Sequence, residues 1–181
     1  VEAVEHLGRR LDVVVVQQDR EEAHVLLGRL HRGLLRSADL QGLAGVLALA
    51  VDPKDAEHVI AATTEGLYER GIAADQEPEW VLRRPNIHAS VIVTRSGNAV
   101  RFYASEWGVG VFQSSNGKTW SAVGTGFPTT NTGRIALAAQ PANPRVVYAL
   151  VATTSGALLG VYRLDLGTST WKKLTNPPVV L

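Results

Sequence analysis

The feature that most constrains this chain is a fourfold repeat of strands and turns in one fixed order. Each copy opens on an apolar strand, at 12–16, 46–51, 90–93 and 134–138, and runs into a polar turn, at 17–22, 52–57, 94–98 and 140–145. Three of these turns carry Pro53, Gly97 or the Pro141/Pro144 pair, residues that fix φ or permit φ > 0. A second strand begins at Val25, Val59, Phe102 and Val147, so its start recurs after 34, 43 and 45 residues. The third strand opens on glycine in every copy, at Gly33, Gly66, Gly110 and Gly160. In three copies a turn then leads to a fourth strand headed by Trp80, Trp120 or Trp171, whereas the first has Leu43 and no tryptophan. β-Branched and aromatic enrichment in short runs between turn signals favours strands. The stretch 19–30 also reads as a short helix with leucines on one face, but the repeat register assigns it to strands.

A four-stranded unit of this size cannot bury both of its faces alone and must stack on its neighbours. Four antiparallel strands in about 35 to 50 residues is the size of a β-propeller blade. The expected fold is therefore all-β, a propeller of four-stranded antiparallel blades over 1–181, with units near 11–45, 46–85, 88–124 and 132–175. Four units make either a minimal ring or part of a larger one. The chain starts at Val1 and contains no Met, which fits a piece of a longer or processed polypeptide whose remaining blades complete the ring.

Composition narrows the function. With 18 basic and 17 acidic residues, a net charge of +1 gives no general electrostatic case for nucleic acid. The absence of cysteine excludes disulfides, thiolate metal sites and cysteine nucleophiles. Apolar runs such as 46–51 fall far short of the roughly 20 residues that span a bilayer.

The stretch 110–120, an apolar strand, a tight polar turn and Trp120, is the cleanest copy of the unit. It resembles the sialidase-type, Asp-box (BNR) repeat propellers, which include xyloglucanase-like glycosidases, sortilin-type receptors and photosystem assembly factors. The turn of that family reads Ser-x-Asp-x-Gly-x-Thr-Trp. Read back from Trp120, this chain has Gly117, Thr119 and Trp120 in place, Ser115 at the Asp position and Gln113 at the Ser position. Sliding by one residue recovers Ser114 but shortens the turn. The resemblance implies a structural role for Ser115, Gly117, Thr119 and Trp120, ligands on the opposite face of the disc, and an extracytoplasmic location.

Because antiparallel strands alternate direction, turns after strands one and three share one face, and those after strands two and four share the other. The second set, the loop face, comprises 29–32, 63–65, 105–109 and 151–159, with 83–88 and 124–133. Glu65 and Glu106 fall at comparable positions there, as a candidate catalytic acid pair or as plain solvated loop acids. A glycosidase needs two such carboxyls about 5 to 10 Å apart. Trp107 is a candidate sugar platform, and Arg29, Arg32, Arg83 and Arg84 are candidates to grip a carboxylate. His31 and His88 lie in the same loops, but no HxxxH or HExxH spacing supports a metal site. No phosphate loop, dinucleotide fingerprint or nucleophile elbow is present, so no cofactor is expected. Two functions remain: a non-catalytic module that binds a protein or carbohydrate partner through its loop face, and a piece of a secreted glycoside hydrolase.

Overall fold

The computed structural model describes residues 17–19, 22–24, 43, 45–71, 79–140 and 143–175. These residues contain fourteen strands and no helix. β1 (Gln17–Asp19) and β2 (Glu22–His24) pair as a hairpin. The turn expected across 17–22 thus supplies strand residues on both sides, and the rest of the first unit lies outside the described residues apart from Leu43 and Gly45.

Three four-stranded sheets follow, each an antiparallel meander in chain order. Blade two is β3 (Val46–Asp52), β4 (Asp55–Thr63), β5 (Gly66–Gly71) and β6 (Glu79–Pro85). Blade three is β7 (His88–Ser96), β8 (Ala99–Glu106), β9 (Gly110–Ser114) and β10 (Ser121–Ala122). Blade four is β11 (Ile135–Gln140), β12 (Asn143–Ala152), β13 (Leu158–Asp165) and β14 (Thr170–Lys173). The first strands lie side by side, β3 against β7 and β7 against β11. The blades therefore stack face to face.

The second strand of each blade explains why stacking is obligatory. In β4 and β8 the runs Val59–Thr63 and Phe102–Glu106 are buried at every residue, so both faces of those strands meet a neighbour. Ala50, Ile60, Ala62 and Leu67 of blade two pack on Val91, Val93, Phe102 and Ala104 of blade three. Ile92, Tyr103 and Val111 on the other side of blade three pack on Ile135, Val147, Ala149, Val151, Tyr162, Leu164 and Trp171.

The turn at 114–120 is held by Ser114 and Asn116. The Ser114 hydroxyl oxygen accepts the Gly117 amide at 2.8 Å, and Asn116 Oδ1 accepts the amides of Lys118 and Thr119 at 2.9 and 3.0 Å. Ser115, expected to fill the acidic position, is exposed and makes no hydrogen bond among the described residues. Trp120 closes the turn by donating Nε1–H to the Gly117 carbonyl at 2.8 Å. Gly117 has φ +72°, and a Cβ there would stand 2.6 Å from Ile60 Cδ1 and 2.8 Å from His58 Nε2. Glycine is needed because the turn presses onto blade two.

After β10 the chain crosses to the outer edge of blade four. Thr125 accepts the Trp171 amide at 2.7 Å, its own amide reaches Ser169, and Trp171 Nε1–H donates to the Val123 carbonyl at 2.8 Å. Gly124, at φ +72°, lets the crossing segment lie on the Trp171 ring, whose Cδ1 would sit 3.0 Å from an added Cβ.

Candidate functional site

The meander order places the ends of β6 and β8, the start of β7 and the loops beyond them on the loop face. Register brings His88 opposite Glu106 at the β7/β8 pair, and the last residues of β6 add Arg84 from blade two. Glu106 faces blade two because it shares a side of β8 with Phe102 and Ala104. One carboxylate oxygen accepts Arg84 Nη2–H at 2.6 Å and the other accepts Asn86 Nδ2–H at 2.8 Å. Arg84 also lays its guanidinium over the Phe112 ring, 3.7 Å from the centroid, a favourable cation–π contact.

His88 is fully buried. Its Nδ1 lies 3.0 Å from the Asn86 carbonyl, an acceptor only, so Nδ1 carries the proton and Nε2 is left with a lone pair. That Nε2 stands 3.9 Å from Glu106 and has no hydrogen-bond partner. Burial lowers the His88 pKa, and the Asn86 carbonyl and the Glu106 charge oppose this only in part. Burial alone would raise the Glu106 carboxyl; the hydrogen bonds from Arg84 and Asn86 outweigh it and hold the pKa below the ordinary carboxylate range. At neutral pH the cluster is a carboxylate, a guanidinium and a neutral imidazole.

Around this cluster the loop face carries large apolar side chains. Ile87, Trp107 and Val109 are 39%, 43% and 53% exposed. They are tied together through backbone: the Trp107 amide donates to the Ile87 carbonyl and the Val109 amide to Glu106, while Gly108 reaches the Gly133 carbonyl in the loop before blade four.

The other candidate residues are placed differently. Glu65 is exposed at the tip of the β4–β5 loop, whose amides at Glu65 and Gly66 are capped by the buried Thr63 hydroxyl. Arg83 turns away from Arg84 and forks onto Glu69 with distances of 3.0 and 2.6 Å. Arg29, His31 and Arg32 lie outside the described residues. Asn86, Ile87, Val109 and Phe112 were not singled out from sequence. Asn86 had a signal, since an Asn directly after Pro85 is a frequent turn former that tolerates the left-handed backbone, here φ +72°.

A second charged cluster lies on the opposite, turn face. His58 Nδ1 is 3.1 Å from Asp52 Oδ2, and its Nε2 is 3.4 Å from Glu69, the carboxylate that Arg83 also holds. The ring stands edge-on to Phe102 with centroids 5.4 Å apart. Among the described residues no group of three or more His, Asp or Glu side chains is arranged to hold a metal ion. Among the described residues there is no helix long and apolar enough to cross a membrane.

No family model and no curated protein matches the chain. Among solved structures it is similar to the crystal structure of an ancestral GH74 enzyme, at 21% identity with a TM-score of 0.51. The match covers 70% of this chain and 20% of that one. The shared architecture is the β-propeller. At this identity the likeness concerns fold alone, and this chain spans about a fifth of the enzyme's length.

Proposed function

We propose that the chain is a non-catalytic β-propeller module that binds a protein or glycan partner through its loop face. The observation that supports this reading is the state of Glu106. It is buried, bound at both oxygens by Arg84 and Asn86, and held ionised. Such a carboxylate has no proton to give a glycosidic oxygen at neutral pH. Its bonds join blade two to blade three and so position Trp107, the next residue, at the surface. Exposed Trp107, Ile87 and Val109 form the kind of apolar group that marks a contact surface. The same reading takes 114–120 as an Asp-box turn with Asn116 in place of the acid, which the amide bonds to Asn116 Oδ1 support.

The second reading, a piece of a glycoside hydrolase using Glu65 and Glu106, is favoured by the fold likeness to the GH74 enzyme. One experiment separates the two. Xyloglucan-type and sialylated oligosaccharides are titrated onto the chain by calorimetry while released sugar is followed. The binding reading expects no release from the wild type, and any glycan affinity to fall at least tenfold in Trp107→Ala. Sugar release that Glu65→Gln or Glu106→Gln abolishes would overturn it in favour of the hydrolase.

A further inference from the structure

The sequence contains one Asn-Gly pair, Asn116–Gly117. Such a pair is chemically labile, because the backbone nitrogen that follows the asparagine attacks its side-chain amide, and glycine has no Cβ to obstruct the approach. The other asparagines precede Ile87, Ala99, Thr132, Pro144 and Pro177. Three of those followers carry a side chain beside the attacking nitrogen, and a proline nitrogen has no proton to lose. Asn116 is exposed, so water reaches its side chain.

The closed turn captures four consecutive amides with two side chains. Ser114 Oγ accepts the Asn116 and Gly117 N–H groups at 3.2 and 2.8 Å, and Asn116 Oδ1 accepts those of Lys118 and Thr119 at 2.9 and 3.0 Å. Ring closure requires the Gly117 nitrogen to lose its proton and to bond Asn116 Cγ along the direction that its N–H bond now takes. Ser114 Oγ occupies that direction. The bonds at Oδ1, with the Ser114 hydroxyl donating a third at 3.1 Å, fix the plane of the side-chain amide. Reaction therefore requires the turn to open, a local event with its own free energy.

We propose that Asn116–Gly117 is a self-modification site, gated by Ser114, that converts opening of the turn into a permanent chemical change. In the open turn the bond from Gly117 N to Asn116 Cγ forms and the Cγ–Nδ2 bond breaks. Nδ2 leaves as ammonia, taking the proton that the Gly117 nitrogen gives up. Water then adds to one of the two carbonyl carbons of the cyclic imide, the bond from that carbon to nitrogen breaks, and nitrogen regains a proton. No oxidant or reductant is involved. Addition at Cγ gives aspartate, and addition at the main-chain carbonyl gives isoaspartate. The two products act in opposite directions. Aspartate leaves the backbone as it was and offers Lys118 and Thr119 a charged acceptor, which closes the turn more firmly. Isoaspartate routes the main chain through Cβ and Cγ and lengthens it by one atom. Gly117, which presses on Ile60 and His58, is then displaced, and the seam between blades two and three loses its brace.

The test incubates the whole chain at mildly alkaline pH, folded and in concentrated guanidinium chloride, and follows the exchange of amide for acid at position 116 by peptide-mapping mass spectrometry. The folded chain should react at least about a hundredfold more slowly than the denatured one. Ser114→Ala frees the Gly117 amide and should speed the folded reaction about tenfold, with the denatured rate unchanged and the β-sheet circular dichroism spectrum retained. Asn116→Gln should abolish the change at this position. A second measurement needs no variant and decides the matter if Ser114→Ala does not fold. In rising, sub-denaturing urea the reaction at Asn116 should accelerate in parallel with hydrogen exchange of the Gly117 amide, read by NMR. Folded and denatured chains that react at one rate, a folded Ser114→Ala chain no faster than wild type, or a rate indifferent to urea overturns the proposal.

Discussion

The two seams solve the same packing problem with different chemistry. Between blades two and three the apolar centre is thin, with three alanines among its eight buried residues. Charged clusters close it at both ends: Glu106 with Arg84 on the loop face, and Asp52, His58, Glu69 and Arg83 on the turn face. Between blades three and four the centre is aromatic. Tyr103, Tyr162 and Trp171 fill it, with Phe127 at 5.0 Å from the Trp171 ring and 5.6 Å from Tyr162. Its cross-blade hydrogen bonds come from Ser90, Ser105 and the Trp171 indole. Small side chains leave the first seam little dispersion and area, so fixed charges supply its specificity. The second seam rests on buried area, which does not change on acidification.

The largest test of this contrast is Trp171→Ala. It empties the centre of the aromatic seam and strands the Val123 carbonyl, and should cost about 3–5 kcal/mol in denaturant unfolding. A loss below about 1 kcal/mol would mean that the second seam does not depend on this ring. Next in size, Glu106→Ala leaves Arg84 and Asn86 without their acceptor. Arg84 keeps 27% of its side chain in solvent, so the cost should be about 2–3 kcal/mol rather than the larger value for a fully buried pair. Glu106→Gln should recover part of it, and equal losses would show that volume, not charge, matters there.

Acidification should weaken the charged seam before the aromatic one. His88 has a folded pKa below its ordinary 6.5. As pH falls through 6.5 the unfolded chain takes up a proton that the folded chain refuses, and stability drops until the folded pKa is reached. Glu106 also has a lowered folded pKa, below its ordinary 4.5. Its contribution is complete above that value and lost as pH falls through the folded pKa. Both slopes have the same sign, so unfolding midpoints measured from pH 8 to 3 should decline in two stages. Loss of the upper stage in His88→Asn, and of the lower in Glu106→Gln, checks the assignment.

The smallest expected effect concerns the turn that braces the first seam. Asn116→Ala removes the acceptor of the Lys118 and Thr119 amides and should cost about 1–2 kcal/mol. Asn116→Asp keeps the geometry with a charged acceptor and should stabilise by about 0.5 kcal/mol. A destabilising aspartate would show that the turn does not use this side chain as an acceptor.

Much of this arrangement was legible before any coordinates. The spacing of Val59, Phe102 and Val147 located the central strands of three blades because β-sheet periodicity and turn chemistry are local properties. The turn at 17–22 was misjudged where polar residues, Gln17 to Asp19 and Glu22 to His24, form strands nonetheless: ladder pairing, not side-chain polarity, decides at an edge. Ser115 was chosen over Ser114 and Asn116 by counting back from Trp120, and a turn one residue shorter moved the hydrogen bonds to its neighbours.

The sequence by itself determined the number of strands per unit, their order and thus which loops share a face, since each follows from alternation along one chain. Tertiary structure alone decided what the charges do. Glu106 and Arg84 are 22 residues apart and belong to different blades, so nothing local indicates that they meet. Arg83 and Arg84, adjacent in sequence, separate to Glu69 and Glu106 because the β5/β6 register shifts at Arg83, a bulge that sends it back along its own blade while Arg84 crosses to the next. The open side of blade four is likewise absent from the repeat pattern. Ala138, Tyr148 and Leu150 read like their counterparts in the other blades, and only stacking reveals that Leu150 is half exposed where Ala62 and Ser105 are buried.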